Sequence, residues 1–332
     1  MFSSSDWGSL LYKLIVYGTG FILGAFGGMF SECSGIINIA LEGSMVVGAF
    51  SGLIFLYSMM GSGLAATFAG VEFLYFLAAV IALMVSAIFS LLLSYVSIKF
   101  KADQTIVGTA LNMVALAACS IVNTSVTGID SAEVTNGPYS QFFSVNQNQG
   151  FTGSAFSSLP ISVFMGILLI AVLWLMMDRT RFGLRLRACG ENPAAADSVG
   201  INVNKMRYIG TAVGSAAAGL GGFIIFSCLN ISNKWSIDAL GYGFLVLAVE
   251  ILGNWKTIPI VISAIFFAFS FSFGNVFQAA LSNNPDVPKA FYTNRAFFSM
   301  IPYALAFLTL IFFSKHSHAP KAEGIPYNKD SR

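Results

Sequence analysis

The sequence predicts an all-α polytopic membrane protein with about nine transmembrane segments, and three observations support this fold class. Hydrophobic residues make up 56% of the 332 positions and charged residues only 10%, against about 25% charged residues in an ordinary soluble domain. The apolar residues fall in blocks long enough to cross a bilayer. The basic residues gather in a few stretches, and a formal net charge of +2 gives no indication of nucleic-acid binding.

Eight apolar segments are long enough to span a bilayer as helices. They cover residues 10–30, 35–60, 71–98, 104–126, 158–177, 206–229, 257–280 and 295–313. A ninth segment, GYGFLVLAVEILGNW at 241–255, is apolar but shorter. It is either a half-helix or a short crossing, and the whole chain, 1–332, is predicted to form one transmembrane domain.

Lysine and arginine predict the orientation, because they concentrate in cytoplasmic loops. The loop 178–205 and the first residues after it contain a cluster of them: Arg179, Arg181, Arg185, Arg187, Lys205 and Arg207. With nine crossings, the same side also receives Lys99, Lys101, Lys256 and the lysines of the tail 314–332. The loop 127–157, which has no lysine or arginine, falls on the opposite side. The sequence therefore predicts an outside N-terminus and a cytoplasmic C-terminus.

Two glycine-containing stretches predict an inverted repeat. GAFGGMF at 24–30 precedes the element with Glu42, and AGLGGFI at 218–224 precedes the element with Glu250. In the predicted topology these two segments cross in opposite directions, as the interrupted helices of inverted-repeat transporters do. Adjacent glycines also occur at ordinary tight helix contacts, and that alternative stays open. The two repeats would cover about 8–126 and 206–313.

Polar residues within the apolar segments are the candidates for a translocation pathway. An ionised carboxylate at the bilayer centre costs about 2.5–3.5 kcal/mol on insertion scales, so it usually faces the bundle interior or a water-filled cavity. Asn38 precedes Glu42 by one helical turn, so we expect both on one helical face. We favour a structural role for Glu42, as a cap for broken backbone or a partner for another helix. The candidates are Asn38, Glu42, Asn112 and Glu250.

The loop 178–205 contains the pattern of a short helix in GENPAAADSVGIN. Asn192 suits the N-cap, Pro193 the first turn and Gly200 the C-terminal stop. A helix of about two turns is marginal alone in water, so other elements must hold it. It is either a surface helix or a docking helix that presents a small face of Ala194, Ala195 and Ala196. The candidate docking residues are Glu191, Asn192, Pro193, Ala194, Ala195, Ala196, Asp197, Ser198 and Gly200.

Other classes of function find little support in the sequence. The chain has no G-x-x-x-x-G-K-[ST] motif, so ATP hydrolysis would have to come from another subunit. Both histidines, His316 and His318, lie in the tail, so we expect no catalytic Ser–His pair and no histidine metal site in the membrane. The chain is therefore not expected to be an enzyme. An ion-coupled carrier that uses Glu42 and Glu250 remains the alternative within transport.

Five stretches of the chain carry a resemblance to a known family. They are SGIINIALEGSMVVGAF (34–50), ADQTIVGTALNMVAL (102–116), RACGENPAAADSVGINVNKMRY (187–208), AAAGLGGF (216–223) and GYGFLVLAVEILGNW (241–255). They resemble the permeases of ATP-binding cassette (ABC) importers for ribose-like sugars, nucleosides and branched-chain amino acids, and most closely the nucleoside and simple-sugar branch. The resemblance covers nearly the whole chain in the order of the family.

The resemblance implies a permease of the bacterial cytoplasmic membrane that imports a nucleoside or simple sugar. Such a permease pairs with itself or with a sister subunit, and it receives substrate from an extracytoplasmic binding protein or lipoprotein. Its segment 191–201 would be the coupling helix that docks on a cytoplasmic ATPase subunit. ATP and Mg²⁺ would be bound by that ATPase, and this chain would bind no cofactor. Glu250 and the long polar loop 127–157 depart from the usual family pattern, which leaves substrate and binding-protein contacts open.

Overall fold

Every regular element that the computed structural model describes is a helix, as the sequence predicts. The structure describes residues 4–59, 67–128, 151, 154–155, 159–229, 241–282, 295–313 and 317–327. The helices are α1 (Ser4–Glu32), α2 (Leu41–Ser58), α3 (Phe68–Lys99), α4 (Gln104–Thr127), α5 (Ile161–Arg179), α6 (Arg181–Glu191), α7 (Pro193–Ser198), α8 (Val203–Leu229), α9 (Tyr242–Leu252), α10 (Thr257–Ser282) and α11 (Arg295–Phe313). Most of the loop 127–157 and parts of the tail 314–332, with His316, lie outside the described residues.

Seven of the described helices are long and apolar enough to cross a membrane. They are α1, α2, α3, α4, α5, α8 and α10. The helix α9 and the apolar part of α11, Met300–Phe312, are shorter. A multi-pass helical membrane protein is therefore confirmed, whereas the count of nine crossings and the orientation of the termini stay predictions.

Helices α1 and α8 form the centre of the bundle. In the most apolar 18-residue stretch of each, 83% of α1 and 78% of α8 is buried, compared with 22% of α4. Helices α2 and α3 pack on α8, and helices α9 and α10 pack on α1. Helix α4 lies outside α2, and α11 lies outside α9 and α10. The outer helices consequently present many large apolar side chains at the surface, as expected for a chain surrounded by lipid.

The crossing of α1 and α8 depends on glycine. A Cβ atom added to Gly27 would lie 2.5 Å from the carbonyl oxygen of Gly214, and one added to Gly221 would lie 2.6 Å from that of Gly20. Both distances are far below a van der Waals contact, so the two backbones touch without side chains between them. Small residues permit such close backbone contact between membrane helices. The pairing of 20 with 221 and of 27 with 214 also shows that the two helices are antiparallel.

The segment 33–40 between α1 and α2 is not helical, which corrects the expectation of a helical span from residue 35. Its backbone is satisfied by side chains from both flanking and distant positions. The Ser31 hydroxyl donates to the carbonyl of Ile36 (3.0 Å), and the Gln104 side chain accepts from the N–H of Ile37 (2.7 Å). Buried irregular backbone in a membrane protein needs such internal partners because lipid offers none.

Helix α6 was missed in the sequence analysis, which predicted only one helix in the loop 178–205. The Thr180 hydroxyl accepts from the N–H of Gly183 (3.4 Å) and caps the start of α6. Its buried residues, Gly183, Leu186, Cys189 and Gly190, follow helical spacing. The flanking arginines masked this pattern because they suggested a solvated loop. Helix α6 carries α7 at its end, with only Asn192 between them.

A side chain added at the α1–α8 crossing should destabilise the bundle. We expect Gly27→Ala to lower the thermal stability of the purified protein, because its methyl group would overlap the backbone of Gly214 and overpacking costs about 1–3 kcal/mol. The matched control is Gly18→Ala on the same helix, where the added Cβ atom would lie 3.9 Å from the Ala268 side chain. Thermal unfolding in detergent measures both variants. Equal melting temperatures for the two variants would contradict the close crossing.

Candidate functional site

Helix α7 has a complete set of local caps. The Asn192 side chain accepts from the N–H of Ala195 (3.0 Å), and Pro193 occupies the first turn. At the other end the N–H of Gly200 donates to the carbonyl of Asp197 (2.9 Å), and the N–H of Ile201 donates to that of Ala196 (3.1 Å). This is the Schellman arrangement, which needs a left-handed residue, and Gly200 has φ of +82°. The predicted helix is therefore present, with Gly200 as its stop.

The exposed face of α7 differs from the predicted one. Ala194 and Ala195 are exposed, but Ala196 is only 3% exposed and packs into the main apolar core. The prediction that all three alanines form the exposed face was wrong, because successive residues point about 100° apart around a helix. Ala196 attaches the helix to the bundle. The sequence analysis missed Val199, which is 74% exposed and one turn beyond Ala195.

The other candidate docking residues are distributed around this helix. Glu191 is the last residue of α6, and it is exposed, as are Asn192 and Ser198. Asp197 and Pro193 are half-buried. The surface available to a partner therefore consists of two small side chains, one protruding apolar side chain and a rim of polar groups. Such a shape suits insertion into a shallow groove, with Val199 as the anchor.

Two of the four polar candidates within the membrane, Asn112 and Glu42, serve as helix caps. Helix α2 begins after Ala40, which has no side-chain acceptor for the first N–H groups of the helix. Asn112 on α4 supplies it: its side-chain oxygen accepts from the N–H of Gly43 (2.8 Å), and its side-chain nitrogen donates to the carbonyl of Ile39 (3.0 Å). A membrane helix that begins inside the bundle needs these partners, because its first N–H groups have none within the helix.

Glu42 does the same for helix α9. That helix begins after Gly241, which also offers no side-chain acceptor. The Glu42 carboxylate accepts from the backbone N–H of Gly243 (2.5 Å) and of Phe244. Gly243 lies directly against the Glu42 backbone, where a Cβ atom would collide. Glu42 thus has the structural role that the sequence favoured, as the cap of α9, a second helix that begins inside the bundle.

The position of Glu42 also has an electrostatic rationale. Glu42 lies in the first turn of α2, and its carboxylate lies at the first turn of α9. Each helix N-terminus carries a partial positive charge, equivalent to about half an elementary charge. The N-termini of two helices therefore meet at one negative group. This arrangement offsets part of the cost of a buried carboxylate.

Asn38 and Glu250 lie elsewhere. Asn38 precedes the start of α2, so the expectation that it shares a helical face with Glu42 was wrong. Its side-chain nitrogen donates to the hydroxyl of Ser215 on α8 (3.3 Å). Glu250 lies near the far end of α9, about 10 Å along the helix from Gly243, and it is fully buried beside Glu32. The structure therefore brings Asn112 and Glu42 to one helix start and leaves Glu250 at a second polar cluster.

An open, apolar groove lies between α2, α3 and α4. Its polar lining groups are Ser51 and Ser58, and both hydroxyls donate to carbonyls of their own helix. The groove is consequently apolar, and none of the four polar candidates lines it. It offers a surface for lipid or for another apolar helix.

The capping role of Glu42 predicts opposite results for two substitutions. Glu42→Gln should keep most of the folded protein, because the amide oxygen still accepts from Gly243. Glu42→Leu should lower the yield of folded protein, because it leaves the first N–H groups of α9 without an acceptor, and a lost cap costs about 1–2 kcal/mol even in water. Size-exclusion chromatography of detergent extracts measures both yields.

The matched control is Glu191→Leu, the same change at an exposed glutamate. A normal yield for Glu42→Leu would contradict the cap. A well-folded Glu42→Gln variant that has lost all transport would instead show that the charge of Glu42 serves the transport cycle directly.

Comparisons with known proteins identify the family. The family model described as "Branched-chain amino acid transport system / permease component" matches residues 10–310. The guanosine ABC transporter permease protein NupQ of Bacillus subtilis (strain 168) is 35% identical over 321 residues, which is 96% of each chain. The nucleoside ABC transporter permease protein NupC of Lactococcus lactis subsp. cremoris (strain MG1363) is 31% identical over 334 residues, again 96% of each chain.

These similarities extend over nearly the full length of the chain, and they include helices α2 and α9 and the loop that carries α7. They identify the chain as a transport component rather than an enzyme. The chain belongs to the family of branched-chain amino acid transport system permease components.

Proposed function

We propose that this chain is the transmembrane permease subunit of an ABC importer that moves a nucleoside or simple sugar into the cell. The observation that carries the proposal is the full-length similarity, at 35% and 31% identity, to two relatives named as guanosine and nucleoside ABC transporter permeases. The exposed, firmly capped helix α7 supports it, because an importer of this kind needs a docking element for its ATPase. The proposed location is the bacterial cytoplasmic membrane.

The proposed topology has nine crossings, with the N-terminus outside and the C-terminus in the cytoplasm. It adds α9 and α11 to the seven helices that are long and apolar enough to span a membrane. The chain crosses the membrane once with each of these nine helices, whereas α6 and α7 do not cross. The arginine-rich loop 178–205 then lies in the cytoplasm with Lys99, Lys101 and Lys256. This arrangement places α7 where an ATPase can reach it.

The proposed inverted repeat relates 8–126 to 206–313. Its support is the packing at the centre of the bundle. Gly214 follows Gly20 in the chain by the same number of positions as Gly221 follows Gly27. The repeat therefore maps the Gly20–Gly221 contact of the α1–α8 crossing onto the Gly27–Gly214 contact. It also exchanges the packing of α3 on α8 with that of α10 on α1. Helices α2 and α9 occupy matching places in the two halves, and each begins after a residue that makes no side-chain cap hydrogen bond.

The proposed partners follow from the size of the docking helix. Six residues in α7 bury too little surface to hold an ATPase alone, so the contact must be supported by an assembly. We propose two ATPase subunits, which bind ATP and Mg²⁺, a second permease that is either another copy or a sister subunit, and an extracytoplasmic binding protein or lipoprotein that delivers substrate. The segment 191–201 serves as the coupling helix.

An ion-coupled carrier would use Glu42 and Glu250 as its ion sites. The Glu42 carboxylate accepts from backbone N–H groups of α9, which leaves its oxygens less able to coordinate a cation. The site geometry therefore favours the ABC importer. In reconstituted vesicles, uptake that needs ATP and the binding protein and survives an ionophore supports it, whereas uptake driven by an ion gradient without ATP contradicts it.

The coupling role of α7 predicts a specific effect of Ala195→Arg. The long charged side chain would enter a close-packed contact, so ATPase binding and nucleoside uptake should both fall at least about tenfold, while the permease still inserts and assembles. Pull-down of the ATPase and uptake of radiolabelled guanosine into vesicles measure the two effects. A matched control is Ser331→Arg in the tail. Normal uptake by the Ala195→Arg variant would contradict the docking of an ATPase at α7.

The topology predicts which loops an impermeant thiol reagent reaches. A cysteine introduced at position 140 should react from outside intact cells. One at position 184, where Leu184 is 67% exposed, should react only after the membrane is permeabilised, because the arginine-rich loop lies inside. Of the native cysteines, Cys33, Cys119 and Cys189 are buried, and the half-buried Cys228 is replaced by serine to lower the background. Labelling of positions 140 and 184 from the same side would contradict nine crossings and, with them, the inverted repeat.

A further inference from the structure

The tail segment 317–327, which we call the strap, lies across the end of the bundle that carries α7. The N–H of Ala322 donates to the carbonyl of Gly190 (2.7 Å), the last glycine of α6. The Arg207 guanidinium at the start of α8 donates to the carbonyl of Ile325 (3.0 Å), and the N–H of His318 donates to the side chain of Asn254 (2.7 Å). The Ser317 hydroxyl also donates to the carbonyl of Ile251 on α9 (3.4 Å). The strap therefore has four hydrogen-bonded anchors, on α6, on α8, on α9 and on the turn that follows α9.

Two of these anchors connect elements that the chain does not connect directly. Gly190 lies two residues before Asn192, the cap of α7, and Asn254 lies in the turn between α9 and α10. The strap thus joins the base of the coupling helix to the broken helix α9. Pro320 and Ala322 are buried, so this contact is packed as well as hydrogen-bonded.

A group of carboxyls lies beneath the strap. Glu323 on the strap adjoins Glu32 at the end of α1, and Glu32 adjoins Glu250 on α9. Among the described residues, the Trp255 indole (2.5 Å) and the backbone N–H of Asn38 donate to Glu32, and the partner of the Glu250 carboxyl is the Glu32 carboxyl. Gly28 leaves the space that Glu250 occupies, since a Cβ atom there would overlap its carboxylate. Three neighbouring carboxyls with so few donors cannot all be ionised at low cost.

Positive charges near the strap do not resolve this crowding. Arg187 donates to the carbonyl of Met177 (3.1 Å), and Arg207 donates to that of Ile325. Burial, followed by the charge of Glu32, raises the pKa of Glu323 to about 8. The titratable and charged groups on the strap, at the end of α1, on α6, at the start of α8, at the end of α9 and in the turn after α9 are Glu32, Cys33, Arg181, Arg185, Arg187, Cys189, Glu191, Lys205, Arg207, Tyr208, Glu250, Lys256, His318, Lys321 and Tyr327.

We propose that the strap is a proton-dependent clamp, which ties the base of the coupling helix to α9 while Glu323 is protonated and detaches when Glu323 ionises. The clamp adds a pH-sensitive control to the proposed importer, because α7 loses its link to α9 as the cytoplasm becomes alkaline. Docking of the strap is a property of this chain alone, so its test requires neither the ATPase nor the transported substrate.

The sign of the pH dependence follows from proton linkage. In the docked strap the pKa of Glu323 is about 8, whereas in a detached, solvated strap it returns to its ordinary value of 4.5. Docking therefore takes up a proton between these two values. Its stability is complete below the ordinary pKa, falls as pH rises toward about 8, and changes little beyond it.

Amide hydrogen exchange of the full-length protein in lipid nanodiscs tests the clamp directly. The protection factor of the peptide that contains 317–327 removes the intrinsic pH dependence of exchange. In the wild-type protein we expect this factor to fall by up to about tenfold per pH unit between about pH 5.5 and 8. In Glu323→Gln, which is neutral at every pH, the protection factor should fall less, because the contribution of one proton, up to about tenfold per pH unit, is missing. Equal slopes in both proteins, or no fall in the wild type, would overturn the proposal.

A second pair of variants tests the anchor on α9 independently of Glu323. Asn254 has φ of +53°, a conformation that glycine adopts freely and aspartate tolerates. Asn254→Asp keeps a side-chain acceptor for the N–H of His318, whereas Asn254→Gly removes it. We expect Asn254→Gly to lower strap protection severalfold and Asn254→Asp to preserve it. Because the Ser317 hydroxyl also contacts α9, the decisive variant combines Asn254→Gly with Ser317→Ala. Unchanged strap protection in this double variant would show that the strap is not tied to α9 and would overturn the clamp.

Discussion

The architecture depends on one constraint, which is that a helix that begins inside a membrane bundle must find acceptors for its first N–H groups. Helices α2, α5 and α9 begin after Ala40, Pro160 and Gly241, and none of these residues makes a side-chain cap. Each receives its cap from another helix. Asn112 caps α2, Glu42 caps α9, and Glu72 accepts from the N–H of Ile161 at the start of α5 (3.0 Å). Caps supplied in this way fix the relative positions of helices, since a shift of either partner leaves buried donors unsatisfied.

These caps give the proposed coupling helix a physical connection to the membrane interior. Asn112 holds α2, Glu42 on α2 holds α9, and the turn after α9 holds the strap through Asn254. The strap in turn contacts Gly190 at the base of α7. The α1–α8 crossing, closed by glycine pairs, forms the fixed centre around which this series of contacts is arranged. A continuous series of hydrogen bonds and helices thus runs from the base of α7 to the start of α9.

The sequence predicted the elements better than their partners. Hydropathy located the long helices because lipid imposes a minimum apolar length, and the Asn192, Pro193 and Gly200 signals located α7 because caps are local. Glu42 could be recognised as a helix cap in general terms from its cost in lipid. The identity of the capped helix, α9, could not be predicted, because Glu42 and Gly243 are 201 positions apart. Helix α6 was accessible to sequence analysis, since its buried residues follow helical spacing, but its arginines obscured that pattern.

The errors have physical reasons of the same kind. The continuous helix assumed from residue 35 placed Asn38 beside Glu42. The segment 33–40 is instead irregular, and side chains such as those of Ser31 and Gln104 bond to its backbone. Ala196 was assigned to the exposed face because alanine is compatible with both exposed and buried helix positions. Only packing against the bundle distinguishes it from Ala195. The carboxyls of Glu32, Glu250 and Glu323 lie far apart in sequence, so their proximity is a property of the fold alone.

A cryo-EM map of the assembled transporter in lipid would show where the Glu42 carboxylate lies. We expect the carboxylate within hydrogen-bonding distance of the N–H groups of Gly243 and Phe244, with α2 and α9 meeting at their N-termini. A map in which Glu42 faces a water-filled pathway, and in which the first N–H groups of α9 bond to other groups, would contradict this arrangement.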